Sequence, residues 1–187
     1  METQKTIPQT RVYTLTKIAL CITLLIVCSY LVVPLPFTPV VITGQTLAVN
    51  LIALLLTPKQ TFAAISVYLL AGLIGLPVFA GGISGPAKFV SPTGGFLIGF
   101  LAAAVLISLL KGKNNQFWRY LLVTALVGIP VINLFGVIMM SITQGVTLQA
   151  AFLSAVVPFL IGDVIKAVLA SLLAFLLNKR LPKQFTA

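Results

Sequence analysis

Histidine is absent from this sequence, and acidic residues nearly so: 2 Asp+Glu stand among 187 residues. Most zinc sites, Ser-His triads and haem sites need an imidazole, so those chemistries have no footing here. Glu2 and Asp163 lie too far apart in the chain to suggest a paired-carboxylate centre. A membrane-embedded enzyme would also want a Ser or Cys beside a base, and none is evident. Nothing resembles an ATP-binding loop: Gly112-Lys113-Asn114 lacks the upstream glycine and the following Ser or Thr. Cysteine is scarce, with 2 residues. Cys21 and Cys28 fall in one apolar segment, about 10.5 Å apart along a helix, and a disulfide needs Cα atoms within about 7 Å. They read as small apolar packing residues. Finally, only 7% of the residues are charged, against about 25% in soluble domains. That is too little polar surface to coat a water-soluble particle.

What is present is hydrophobic: 59% of the chain. Apolar runs mark six spans, at about residues 13–33, 40–56, 61–77, 94–110, 120–142 and 150–178. Most reach the ~17–25 residues needed to cross ~30 Å of hydrocarbon. The second is the weakest, because its most apolar stretch, Leu47–Leu56, is short and contains Asn50. The expected fold is therefore an all-α integral membrane protein of six transmembrane helices, a single membrane domain over residues 1–187. Ile18–Val33 reads as the first span rather than a cleavable leader, since Pro34-Leu35-Pro36 follows it.

The cations test the six-span reading. With both ends on one side, that side holds Lys5, Arg11, Lys17, Lys59, Lys111, Lys113, Arg119, Lys179, Arg180 and Lys183. The opposite loops hold only Lys88, and Lys166 lies inside the last span. This segregation fits the positive-inside rule with both termini cytoplasmic, and dropping the second span would spoil it. The net charge of +10 thus reflects topology. No basic stripe or aromatic platform accompanies it, so nucleic acid is not an expected partner. The two halves share no pattern of glycines, prolines or polar residues, which argues against an inverted-repeat carrier. Tyr30, Trp118 and Tyr120 fall near span ends and read as interfacial anchors.

Two features carry chemistry. Asp163 and Lys166 stand at i,i+3 within the last span, on one helical face. An unpaired charge at the centre of a membrane helix costs about 2.5–3.5 kcal/mol. Pairing relieves that cost, but an apolar replacement of a buried pair is often as stable or more so, which favours a site for a polar ligand over a purely structural pair. A carboxylate accepts parallel N–H donors, and an ammonium favours carbonyl or carboxylate oxygens. The pair therefore suits a small neutral or anionic organic molecule. The second feature is Gly72 to Gly99, which holds eight of the 14 glycines. Glycine lets backbone approach a ligand closely, and free N–H groups in such turns hold anions. Gln45, Asn50 and Asn133 are further polar residues in spans 2 and 5, candidates for ligand contact or for interhelical hydrogen bonds. No metal or cofactor is expected.

Three segments together, Gly75-Leu-Pro-Val-Phe-Ala-Gly-Gly82, Ser91-Pro-Thr-Gly-Gly-Phe-Leu-Ile-Gly-Phe100 and Gly162-Asp163-Val-Ile-Lys166, resemble the BioY family. These are the biotin-specific S-components of energy-coupling factor transporters. The resemblance covers nearly the whole chain. Ser91 departs from it, standing where the family commonly has glycine. The resemblance implies a compact six-helix domain in a bacterial plasma membrane, capturing biotin from outside under a lid of external loops. It implies that Asp163 and Lys166 contact the ligand. On that footing Asp163 is assigned to the ureido N–H pair, and Lys166 to balancing Asp163 and reaching the ureido oxygen or the tail carboxylate. Phe79 and Phe89 become candidate apolar walls, and Lys88 or backbone N–H groups of the glycine loop near Gly82 candidates for the carboxylate. The implied partners are a transmembrane T-component and two ATPase subunits. The family's first helix meets the T-component through an Ala-xxx-Ala pattern, matched here in part by Ala19 and Thr23, a spacing of small residues that lets another helix approach.

Overall fold

The computed structural model describes residues 9–180. In chain order these form α1 (Gln9–Tyr30), two short strands β1 (Val32–Val33) and β2 (Ile42–Thr43), then α2 (Gln45–Leu55), α3 (Pro58–Leu73), α4 (Gly94–Leu110), α5 (Phe117–Val123), α6 (Ile129–Gln144), α7 (Leu148–Ala155) and α8 (Leu160–Arg180). Three helical stretches among the described residues are long and apolar enough to cross a membrane: Val12–Tyr30, Phe117–Gln144 and Leu160–Arg180. Gln45–Leu55 and Gly94–Leu110 are shorter and apolar.

Two expectations are corrected. Residues 40–56 are not one helix. Val32 pairs with Thr43 and Val33 with Ile42 in an antiparallel ribbon, and the helix starts only at Gln45. Residues 150–178 are not one helix either. The chain breaks between α7 and α8, where Pro158 has no N–H to donate and disfavours helical geometry before it.

Helix α2 is central and almost wholly buried. Its 11 residues rise only about 16 Å, so its last carbonyls end inside the bundle. Backbone acceptors in such surroundings need internal partners. Lys111 Nζ donates to Leu54 O at 2.9 Å and Leu56 O at 2.6 Å, Lys17 Nζ to Leu55 O at 2.8 Å, and Ser108 Oγ to Leu56 O at 2.8 Å. Cations at a helix C-terminus also meet the negative end of its dipole. Lys17 and Lys111, counted above among the cations of one side, thus turn inward to finish a short helix. Tyr120 is likewise corrected from anchor to interior residue: it is buried, and its hydroxyl accepts from Asn178 Nδ2 at 3.2 Å. Trp118 stays exposed.

Helix α3 starts at a capping box, in which Thr57 Oγ1 accepts from Gln60 N and Gln60 Oε1 from Thr57 N, with Pro58 in the first turn. Between α5 and α6 runs one π turn, Thr124–Gly128. The extra residue turns the following face by about 100°. That rotation keeps buried Ile132 and Asn133 on the side of buried Tyr120 and Thr124.

Helices α4 and α6 pack with backbones close together. A methyl group on Gly95 would run into the Phe135 carbonyl, and one on Gly99 would stand 3.0 Å from Ile132 Cα. Small residues give membrane helices this proximity. Replacing Gly95 by Ala is expected to destabilise the protein by about 1–3 kcal/mol, as overpacking does, because backbone cannot move aside. Thermal melting in detergent reads this; an unchanged midpoint would refute the close contact.

Candidate functional site

One end of the bundle holds a cavity of about 280 Å³, near the low end of the range typical of ligand pockets. Its walls come from the ribbon (Val32, Val41, Thr43), the start of α2 (Gln45, Thr46), the loop before α4 (Gly81, Lys88, Thr93), α4 (Phe96, Phe100), α6 (Ile132, Asn133) and the α7–α8 region (Phe159, Asp163, Lys166). Of the residues singled out by sequence, Asp163, Lys166, Lys88, Gln45 and Asn133 converge here.

The break at Pro158 shapes the site. It makes Asp163 a first-turn residue of α8, where the helix dipole favours a carboxylate. The backbone N–H of Asp163 is already bonded to Phe159 O at 2.8 Å, so the side chain is left for other partners. Lys166 Nζ lies 3.4 Å from Asp163 Oδ1, the two side chains are 17% and 11% exposed, and both line the cavity. Asn133, from α6, interacts with the same carboxylate.

Gln45 is held in place. Its Nε2 donates to the Tyr68 hydroxyl, which donates to Val78 O at 3.1 Å. In the loop before α4, Lys88 Nζ donates to Thr93 Oγ1 at 2.6 Å. Ser91 Oγ donates to Lys88 O at 2.7 Å, closing the turn that carries Lys88. Burial lowers the Lys88 pKa from the ordinary lysine range. Three charges therefore face the cavity, two positive and one negative, leaving a net positive environment suited to a monoanion.

The remaining candidates lie elsewhere. Phe79 is fully buried, edge-on to Tyr68 and Phe89 with ring centres 5.6 Å apart in both pairs. A side chain on Gly72 would collide with its ring. Phe79 and Phe89 thus staple the glycine loop to α3 instead of lining the cavity. Gly82, at φ 78°, packs against Tyr30, whose hydroxyl donates to Pro77 O. Asn50 lies below the cavity in a smaller void. Ala19 and Thr23 occupy an exposed stripe of α1, with Thr23 Oγ1 donating to Ala19 O at 3.0 Å. The aromatic walls that the sequence reading missed are Phe96, Phe100 and Phe159.

The family model for the BioY family matches residues 1–183. The chain belongs to the BioY family. The BioY relatives include the biotin transporter BioY2 of Lactococcus lactis subsp. cremoris, 37% identical over 174 residues, covering 92% of this chain and 93% of that protein. The biotin transporter BioY of Thermotoga maritima is 37% identical over 147 residues, covering 79% and 86%. Among solved structures, the S-component for biotin from an ECF-type ABC transporter superposes with a TM-score of 0.89 at 30% identity, covering 96% of this chain and 98% of that one. BioY proteins are transporters, which agrees with the reading that this chain is not an enzyme.

Proposed function

We propose that this chain is the biotin-binding S-component of an energy-coupling factor importer. The observation that carries the reading is the cavity. A paired carboxylate and ammonium from α8, a second cation from the loop before α4, and apolar aromatic side chains all line it. Biotin has the matching layout: a ureido ring with two N–H donors and a carbonyl, an apolar middle and a terminal carboxylate. Asp163 takes the ureido N–H groups. Lys166 pairs with Asp163 and is assigned to the ureido oxygen. The thiophane ring and tail lie against Phe96, Phe100 and Phe159. The carboxylate goes to Lys88 and the N-terminus of α4, where dipole and ammonium act together.

The six-span arrangement belongs to the same proposal: α1, α2, α3, α4, the α5–α6 helix and α8 each cross the bilayer, α2 being completed by the lysines at its end. Both termini then lie in the cytoplasm of a bacterium and the cavity opens outside. Uphill import requires a T-component and two ATPase subunits, and the exposed Ala19–Thr23 stripe is the proposed contact for the T-component.

Calorimetric titration of the detergent-purified protein with biotin tests the ligand, and absence of heat would overturn it. Replacing Lys88 by Gln is expected to weaken biotin by about 1 kcal/mol, about fivefold, and to leave the affinity for biotin amide unchanged. Because burial lowers the Lys88 pKa, its ammonium is lost earlier than an ordinary lysine's as pH rises. Biotin affinity should therefore fall on the alkaline side in the wild type but not in the Gln variant. Equal losses for acid and amide would remove Lys88 from the carboxylate site.

A further inference from the structure

Gln45 opens α2 and lines the ligand cavity. An amide can stand either way round, so the end that meets the ligand depends on what holds the other. Gln45 meets Tyr68, a fully buried residue of α3. The Tyr68 hydroxyl has one proton to give. It lies 3.1 Å from Val78 O, a backbone carbonyl that can only accept. The proton therefore goes to Val78, and the phenolic oxygen is left as an acceptor. Only the NH2 end of Gln45 satisfies it. Turned the other way, the amide oxygen would claim the Tyr68 proton. Two buried oxygens would then face each other at 3.1 Å with no hydrogen between them, a loss that buried polar groups rarely bear.

The nitrogen is thus engaged inward, and the oxygen is the free end. Among the described residues nothing donates to Gln45 Oε1. Nor is that oxygen sealed in, as the buried and unpartnered Thr46 Oγ1, Asn50 Oδ1 and Asn115 Oδ1 are. Gln45 is only 4% exposed and stands on the cavity wall, so the opening left to its oxygen is the cavity. The next residue, Thr46, borders the same small void as Asp163, which puts the amide at the Asp163 end.

We propose that Tyr68 is a positioning residue for the ligand site: tied to Val78, it holds the Gln45 amide with its oxygen toward the cavity, where Gln45 accepts an N–H of the ligand. This deepens the biotin reading and rests on it for the ligand. Both N–H groups of biotin are in the ureido ring, so Gln45 joins Asp163 as an acceptor there. A ligand with an acceptor in place of that N–H would meet a lone pair and be rejected. Tyr68 does not line the cavity and acts through Gln45.

Calorimetric titration with biotin, run on Gln45→Met, Tyr68→Phe and the double variant, tests the proposal. Tyr68→Phe keeps the ring and its edge-on contact with Phe79, and frees the amide to turn. Gln45→Met is expected to bind about fivefold more weakly and Tyr68→Phe about threefold. The double variant should bind no more weakly than Gln45→Met alone. If Tyr68 only held the loop at Val78, its loss would weaken binding in both backgrounds, and that further loss would overturn the positioning role. Wild-type affinity in Gln45→Met would overturn the ligand contact. Gln45→Ala replaces Gln45→Met if the latter does not fold. Thermal melting of the same set without ligand reads the bond itself. The double variant should melt higher than the summed single effects by a few degrees, as residues in direct contact do; additive effects would overturn the pairing. A wild-type protein that gives no heat with biotin would refute the biotin reading, and the melting cycle would still decide the pairing.

Discussion

Replacing Asp163 by Asn is expected to weaken biotin binding by about 1–3 kcal/mol, about five- to 150-fold in Kd. The change is nearly isosteric, so shape is not the cause. The carboxylate has acceptor sites on both oxygens, and the amide turns one of them into a donor. In the cavity that donor would face the ureido N–H groups, which are donors too. The variant also loses the charge that Lys166 answers across 3.4 Å, and the favourable placement of a carboxylate in the first turn of α8. Calorimetry reads the affinity and melting reads the fold, so the two effects separate. Full affinity in a well-folded Asp163→Asn protein would remove Asp163 from the binding site and leave the ion pair as a purely structural element.

Much of this site was legible in the sequence because charge is rare there. Against a background that is 59% hydrophobic, Asp163 and Lys166 stand out, and their helical spacing already places them side by side. Glycine density marked the loop that carries Lys88 for the same reason of contrast. Aromatic walls had no such contrast. Phe96, Phe100 and Phe159 are apolar residues in apolar segments, and only the tertiary fold brings them to one cavity. Phe79 was chosen for its place in a glycine-rich motif, yet motif membership does not say which way a ring points. It faces Tyr68 and Gly72. What Lys17 and Lys111 do at their end of the bundle was not legible, for a physical reason. Their positions fit a charge count, whereas their direction depends on α2 being too short to carry its last carbonyls to the surface. Reading residues 150–178 as one span passes over Pro158. What could not be read was its consequence, that Asp163 gains a helix N-terminus.

Replacing Lys166 by Ala is expected to lower folding stability by about 3 kcal/mol, besides weakening biotin binding. Breaking a buried ion pair typically costs about 3–5 kcal/mol because the surviving charge is stranded. Here the lower end applies, since Asp163 keeps the Asn133 interaction and the pair opens onto a cavity. The loss should come from the stranded carboxylate and not from the lost lysine as such. Removing both charges then discriminates: Asp163→Asn combined with Lys166→Met should recover most of the wild-type melting midpoint while remaining poor at binding biotin, because the apolar side chain fills the space and no lone charge remains. If the double variant melts as low as Lys166→Ala, the lysine stem would be the stabilising part, through packing. If Lys166→Ala itself melts like the wild type, the pair would carry no stability at all. Retention of a carboxylate and an ammonium in so apolar a bundle would then rest on the ligand alone.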